Sequence, residues 1–270
     1  MKDFLPCELA RRLYCAIDWP RKVVGIRFLF TKEEFDLANA TNLQKPIHYS
    51  QMVNAATHGN AVKGSEDAQG CPAAAIALGM KVPDEFQRSG RRAFANCLYH
   101  DQVTAKQSRD RQTICDHRAF GVLVKPLEQY GGNELPPHIV HVITNPYYAM
   151  RIIQGYTYYY GIKTDFKMSG LQAMCSESTA YPYMSNDINL SMLCGGTRDV
   201  CKWKDNELNV SIPYSKLALT IEGTLRTMNL EDPDTKKNIA RSKLKANNMY
   251  DEFPLENGFN YCKLPHNLKN

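Results

Sequence analysis

Two stretches of the chain repeat one pattern. HIVHVITNPYYAMRIIQGYTYYY at 138–160 and LNVSIPYSKLALTIEGTLRTM at 208–228 each run from a short β-branched segment, through proline and tyrosine, into a segment with helical apolar spacing. Proline suits the first helical position because its missing N–H would have no partner there, and Asn145 ahead of Pro146 is a preferred helix cap. A chain with two such strand–proline–helix units must lay helices on a sheet. The repeat reads as an internal duplication or as one economical β–α turn used twice.

Further strands are expected at 23–30 (VVGIRFLF), 119–126 and 188–193, the segments 119–126 and 138–144 forming an antiparallel pair around Gly131-Gly132. Helical spacing covers 3–18, and helices are also expected after Thr31, whose capping box closes at Glu34, from near Ser50, and from Pro72. The fold class that follows is α+β: a mixed, largely antiparallel sheet packed by helices. One domain is expected over 1–230. Residues 231–270, polar after Asp232-Pro233-Asp234, read as a C-terminal extension wrapping it, with Cys262 uninvolved.

Composition excludes some functions. The longest apolar runs fall far short of the roughly 20 residues of a membrane helix. The opening residues mix Asp3, Glu8, Arg11 and Arg12 into their apolar pattern, unlike a secretion signal, so a cytoplasmic protein is expected. The net charge of +5 is spread along the chain, and the basic stretches 88–92 and 236–245 hold no aromatic side chain for stacking bases, so neither nucleic acid nor membrane is an expected partner. No GxxxxGK[ST] or GxGxxG pattern occurs. Nine irregularly spaced cysteines argue for reduced thiols.

Those thiols concentrate where chemistry is expected. FKMSGLQAMCSESTAYPYMSNDINLSMLCGGTRDVCKW, residues 166–203, joins the two units and holds Cys175, Cys194 and Cys201. Cys194 ends an expected strand and precedes Gly195-Gly196, whose amides could turn inward as an anion-binding nest beside the forked donor Arg198. Far upstream, Pro72 puts Cys71 at or just before a helix cap, where free amides favour a thiolate. Three element-end cysteines can hold most of an iron–sulfur cluster, with Cys201, Ser50 or His48 as a fourth ligand. Unligated packing is the alternative. Cys97, His100, Cys115 and His117 have ligand types suited to zinc, although their spacing matches no common finger. The tyrosines at 156, 158, 159 and 160 either line a cofactor pocket or pack in the core.

Taken with VVGIRF, Tyr49-Ser50-Gln51-Met52-Val53, Gly70-Cys71-Pro72 and Ile212-Pro213-Tyr214, the stretches Ser169-Gly170 through Cys175 and Asn189 through Arg198 carry a likeness. The chain resembles the ArCR-like family of prokaryotic proteins, domain of unknown function one-six-nine. That resemblance implies cysteines at the positions of Ser50, Cys71, Cys175 and Cys194, of which this chain has serine at the first; it implies no activity.

The function expected is a metal-binding protein carrying an iron–sulfur cluster on Cys71, Cys175 and Cys194, with Ser50, Gly195, Gly196 and Arg198 as further cofactor contacts. Its role would be redox or Lewis-acid chemistry, as an oxidoreductase or lyase, and its partners a small-molecule substrate or an electron-transfer protein; a homo-oligomer is open. The alternatives are an anion-binding module built on Gly195-Gly196 and Arg198, and a nucleophilic Cys71 with His48 or His58 as base.

Overall fold

The computed structural model describes residues 4–260. Seven strands form one sheet: β1 (Val24–Leu29), β2 (Thr41–Asn42), β3 (Val62–Ser65), β4 (Gly121–Pro126), β5 (Ile139–Thr144), β6 (Asn189–Ser191) and β7 (Leu208–Pro213), in the order β2-β3-β4-β1-β5-β7-β6. Only β2 and β3 pair in parallel; every other neighbouring pair is antiparallel. This is the mixed, mostly antiparallel α+β sheet the sequence predicts.

One pairing differs. β4 and β5 do not meet, because β1 lies between them and pairs antiparallel with both. The Gly131-Gly132 connection therefore steps over a strand instead of closing a hairpin.

The helices before the first repeat unit are α1 (Pro6–Ala16), α2 (Lys32–Leu37), α3 (Tyr49–Thr57), α4 (Pro72–Ala77), α5 (Glu85–Arg88), α6 (Arg91–Ala95) and α7 (Gln102–Arg111). After them come α8 (Pro146–Tyr160), a π-helix at Ala173–Ala180, α9 (Tyr181–Ser185), α10 (Gly195–Cys201), α11 (Tyr214–Arg226), α12 (Met228–Glu231) and α13 (Asp234–Ala246). No helix of the described residues is long and apolar enough to cross a membrane.

The two repeat units are neighbours in space. β5 pairs with β7 from Ile139 opposite Pro213 to Thr144 opposite Leu208. Their helices, α8 and α11, cross where Gly155 meets Gly223: a Cβ built on Gly223 would stand 2.2 Å from the Gly155 carbonyl oxygen. Backbone thus touches backbone, and only glycine fits both sides.

Strands β1, β4, β5 and β7 are buried along almost their whole length, as expected when helices cover both faces. On one face Val140, Val142, Val210 and Ile212 pack with side chains of α1, α8, α11 and α13. On the other, Ile26, Phe28, Val122, Val124, Ile139 and Ile143 pack with α3, α4 and the π-helix. The segment expected as a wrapping extension contributes Ala240, Leu244, Met249, Phe253 and Leu255 to the first core. Residues 261–270, with Cys262, lie outside the described residues.

Candidate functional site

Cys71 is the N-cap of α4, with Pro72 as its first residue, as the sequence predicts. The Cys71 carbonyl accepts from the Ala74 amide at 2.9 Å, and Gly70, which leads into it, donates its N–H to the Ile47 carbonyl at 2.8 Å. A Cβ on Gly70 would meet Ile47 backbone at 3.1 Å, so the close approach favours glycine.

Cys194 is the N-cap of α10. Its backbone N–H donates to the Thr197 hydroxyl, which returns a hydrogen bond to the Cys194 carbonyl at 2.8 Å. Strand β6 stops at Ser191, two residues before its expected end; Leu193 adopts φ +65°, a left-handed turn that swings Cys194 out of the sheet. Gly195 and Gly196 form the first turn of α10 and not a separate nest. Arg198 also departs from expectation. Its guanidinium donates to the carbonyls of Met192, Lys204 and Glu207 at 2.6–2.7 Å, which clamps the strand exit to the loop after α10.

Cys175 lies in the π-helix, a wide form found mostly in short pieces and often at functional sites. The widening is stabilised locally: the Thr179 hydroxyl donates to the Met174 carbonyl five residues back at 2.8 Å. Gln172, at φ +52°, opens the helix, and its carbonyl accepts from Cys175 Sγ at 3.6 Å. Glu177, on the same helix, is buried. Its carboxylate accepts from Ser169 N–H and Oγ, from Gly170 N–H, and from the Ser191 hydroxyl at 2.6 Å, so one side chain ties the loop before the π-helix to β6.

These elements bring the three cysteines together. Cys71 and Cys194 line a cavity of about 410 Å³, together with Gly195 and Gly196. Cys175 lies beside both: burial first, then the negative charges Cys71 and Cys194 would carry, push its thiol pKa up. Cys201 is pushed up to about 11, again mainly by burial, and Ser50 opposes that shift from alongside it. The Ser50 hydroxyl is buried and, despite lying next to Cys201, makes no hydrogen bond of ordinary geometry. Among the described residues no group of three or more His, Cys, Asp or Glu side chains is positioned to hold a single metal ion, and all the described cysteines are free thiols.

Two cations that face the cavity escaped the sequence reading: Arg92 of α6 and Arg109 of α7. Burial, then Arg92, lower the Arg109 pKa, while Cys175, Tyr99 and Cys71 oppose the shift. Arg92 belongs to the basic stretch 88–92, which looks like solvated surface in the sequence. Nothing local marks it as cavity-facing, because α6 reaches the site only through tertiary folding.

The remaining candidates lie elsewhere. His100 is exposed and pairs with Asp101 at 2.8 Å; Cys97 is exposed; Cys115 is buried; His117 packs edge-on against Phe28, with ring centres 4.5 Å apart. They do not gather into a zinc site. His48 and His58 are exposed at the two ends of α3. Tyr156 packs in the core of the opposite sheet face, its hydroxyl bonded to Asp187, while Tyr158, Tyr159 and Tyr160 are exposed, so this cluster lines no part of the cysteine cavity.

The family model described as Uncharacterised ArCR matches residues 12–223. An uncharacterized protein of Methanocaldococcus jannaschii is 23% identical over 216 residues, which cover 80% of this chain and 91% of that protein. No solved structure matches.

Proposed function

The chain belongs to the uncharacterised ArCR family, and on that premise we propose that it binds an iron–sulfur cluster through Cys71, Cys175 and Cys194. The observation that carries the proposal is convergence: of three cysteines 104 and 19 residues apart in sequence, Cys71 and Cys194 line one cavity and Cys175 is buried beside them. A cluster spreads its thiolate ligands over a wider perimeter than one ion does, so a group too open for a single metal ion suits it. The donor set is soft and thiol-only, which favours iron–sulfur over magnesium or calcium.

Ser50 fits as a further contact. Its buried hydroxyl lacks a hydrogen-bond partner beside Cys201, which is itself near Cys194. A buried polar atom left unpaired costs free energy, and an incoming ligand would relieve that cost.

When bound, such a cluster supplies one-electron transfer or, at an iron with an open position, Lewis-acid polarisation of a substrate oxygen. The chain's own residues do the rest. Arg109 places positive charge beside Cys71 and Cys175, which would offset part of the negative charge of a thiolate-ligated cluster. Glu177 and Arg198 hold the loops that carry Cys175 and Cys194, and Ile76, Leu98 and Leu171 give the cavity apolar walls. That arrangement supports a redox or lyase-type role on a small molecule.

The test is iron and acid-labile sulfide content, with a visible spectrum, on protein prepared without oxygen. Stoichiometric iron and sulfide in the wild type, lost in the Cys71→Ala/Cys175→Ala/Cys194→Ala variant, are expected. Colourless, metal-free protein after anaerobic preparation and reconstitution would sink the proposal.

A further inference from the structure

The cavity is faced by two guanidiniums and by no carboxylate. Among the described residues the Arg92 guanidinium makes no hydrogen bond or ion pair, and that of Arg109 donates only to the amide oxygen of Gln112. No Asp or Glu lines the space. Other inward-facing cations of this chain are bonded: Arg151 to Asp232 at 2.9 Å, Arg21 to Glu207 through two contacts, Lys125 to Glu134 at 2.6 Å, and Lys63 to three backbone carbonyls. Two guanidiniums left facing one apolar-walled cavity repel each other, and an anion between them removes that repulsion while gaining forked hydrogen bonds.

The rest of the lining describes the anion. Ile76, Ala93, Leu98 and Leu171 offer apolar contact, Tyr99 adds an aromatic side chain, and the volume of about 410 Å³ suits a small organic molecule more than a nucleotide. We propose that this cavity binds a small organic carboxylate with an apolar body, its carboxylate held between Arg92 and Arg109 and its body against Ile76, Leu98 and Leu171. The carboxylate end lies on the cation side and the body extends over Cys71 and Cys194. The inference rests on the cluster reading only for what the bound molecule would meet there. Its affinity comes from the arginines and the apolar walls.

Calorimetric titration of the full chain with 2-naphthoate and with octanoate tests this, with 2-naphthalenemethanol and octanol as neutral counterparts. At least one carboxylate is expected to bind tenfold or more tightly than its alcohol. Arg92→Gln/Arg109→Gln should erase that preference, and Arg109→Lys should keep part of it. The Arg92 guanidinium makes no internal bond, so Arg92→Gln alone serves if the double variant fails to fold; it should weaken carboxylate binding at least threefold with unfolding temperature unchanged. Equal binding of acid and alcohol, an unchanged preference in the arginine variants, or no binding of either acid at millimolar concentration would each overturn the proposal. The Cys71→Ala/Cys175→Ala/Cys194→Ala variant separates the two claims: loss of iron with retained carboxylate preference supports the cavity ligand whatever becomes of the cluster.

Discussion

The two faces of the sheet are built by different rules. On the face covered by α8 and α11, the side chains of Val140, Val142, Val210 and Ile212 meet aliphatic partners, and the helices approach until Gly155 and Gly223 touch. The face under the π-helix changes character along the sheet. At β1 and β4 it is apolar; at β5, β7 and β6 it becomes a buried polar band of His141, Ser211 and Asn189 in one register row and Asn209 and Ser191 in the next. Several atoms there, including His141 Nδ1, Asn209 Oδ1 and the Ser178 hydroxyl, have no hydrogen-bond partner. The first face is optimised for packing. The second gathers more unpaired polar groups, with Ser50 beside Cys201 among them, whereas the first leaves Trp19 Nε1 and Tyr130 Oη unpartnered; such departures from local consistency concentrate where function outweighs stability.

If that contrast is right, the packed face should be the less tolerant of added volume. Gly223→Ala puts a methyl into the Gly155 carbonyl, with no flexible side chain to yield. Helix propensity favours the alanine by about 1 kcal/mol, yet the clash should outweigh it and leave a net loss of about 2 kcal/mol. Chemical denaturation of the variant measures this. A stability equal to the wild type would mean that the helices part easily and that the contrast between the faces is smaller than their packing implies.

Why one face was legible in sequence and the other was not follows from the range of the interactions. The units at 138–160 and 208–228 announce themselves through β-branched runs, Asn145, the two prolines and helical spacing, all local signals, and they emerge as β5–α8 and β7–α11. Cys71 at its cap is equally local, since Pro72 alone fixes it. The insertion of β1 between β4 and β5 has no local signature, because strand order is set by which faces must be buried. Nor does the π-helix: Ser176, Glu177, Ser178 and Thr179 carry no helical apolar spacing, and their buried partners at Asn189, Ser191 and His141 stabilise the helix. Arg198 carried the right chemistry at the wrong place, while Arg92 and Arg109 reach the cavity from an irregular region, 81–118, whose short helices leave few periodic marks.

The polar band should also reveal itself by pH. Burial holds the His141 pKa down to about 3, slightly opposed by the Ser178 carbonyl, and holds His138 down to about 4, where Arg27 and His117 add to the effect. In the unfolded chain both would bind a proton near pH 6.5. The unfolded state therefore takes up more protons as pH falls below 6.5, and native stability drops with it until the folded pKa values are reached. For His141 alone the loss between pH 7 and 5 is about 2 kcal/mol on this linkage. His141→Gln should flatten the slope of stability against pH by up to about half, His138 and His117, whose pKa burial also lowers, carrying the remainder. An unchanged slope would show that His141 takes up its proton without unfolding, and the band would then be wetter and looser than the packed face by more than its unpaired atoms suggest.

The smallest effect discriminates most finely. Ser178 is fully buried, its hydroxyl unpartnered, its carbonyl accepting from His141 Nε2 at 3.0 Å. Ser178→Ala removes a polar atom that gains nothing from its surroundings and leaves the backbone contact intact. On a face built for packing, deleting a buried atom costs stability through the void it leaves. Here the released desolvation cost should offset or exceed that loss, so the variant should be unchanged or more stable by up to about 1 kcal/mol. Thermal unfolding of Ser178→Ala, measured with and without reconstitution with iron and sulfide, adds a second reading. If stability rises only in the unreconstituted protein, the hydroxyl does its work when the site is filled, and its lack of a partner belongs to the chemistry of the cysteine cavity. Should stability fall in both, the band is a satisfied core layer, and the contrast between the faces reduces to composition.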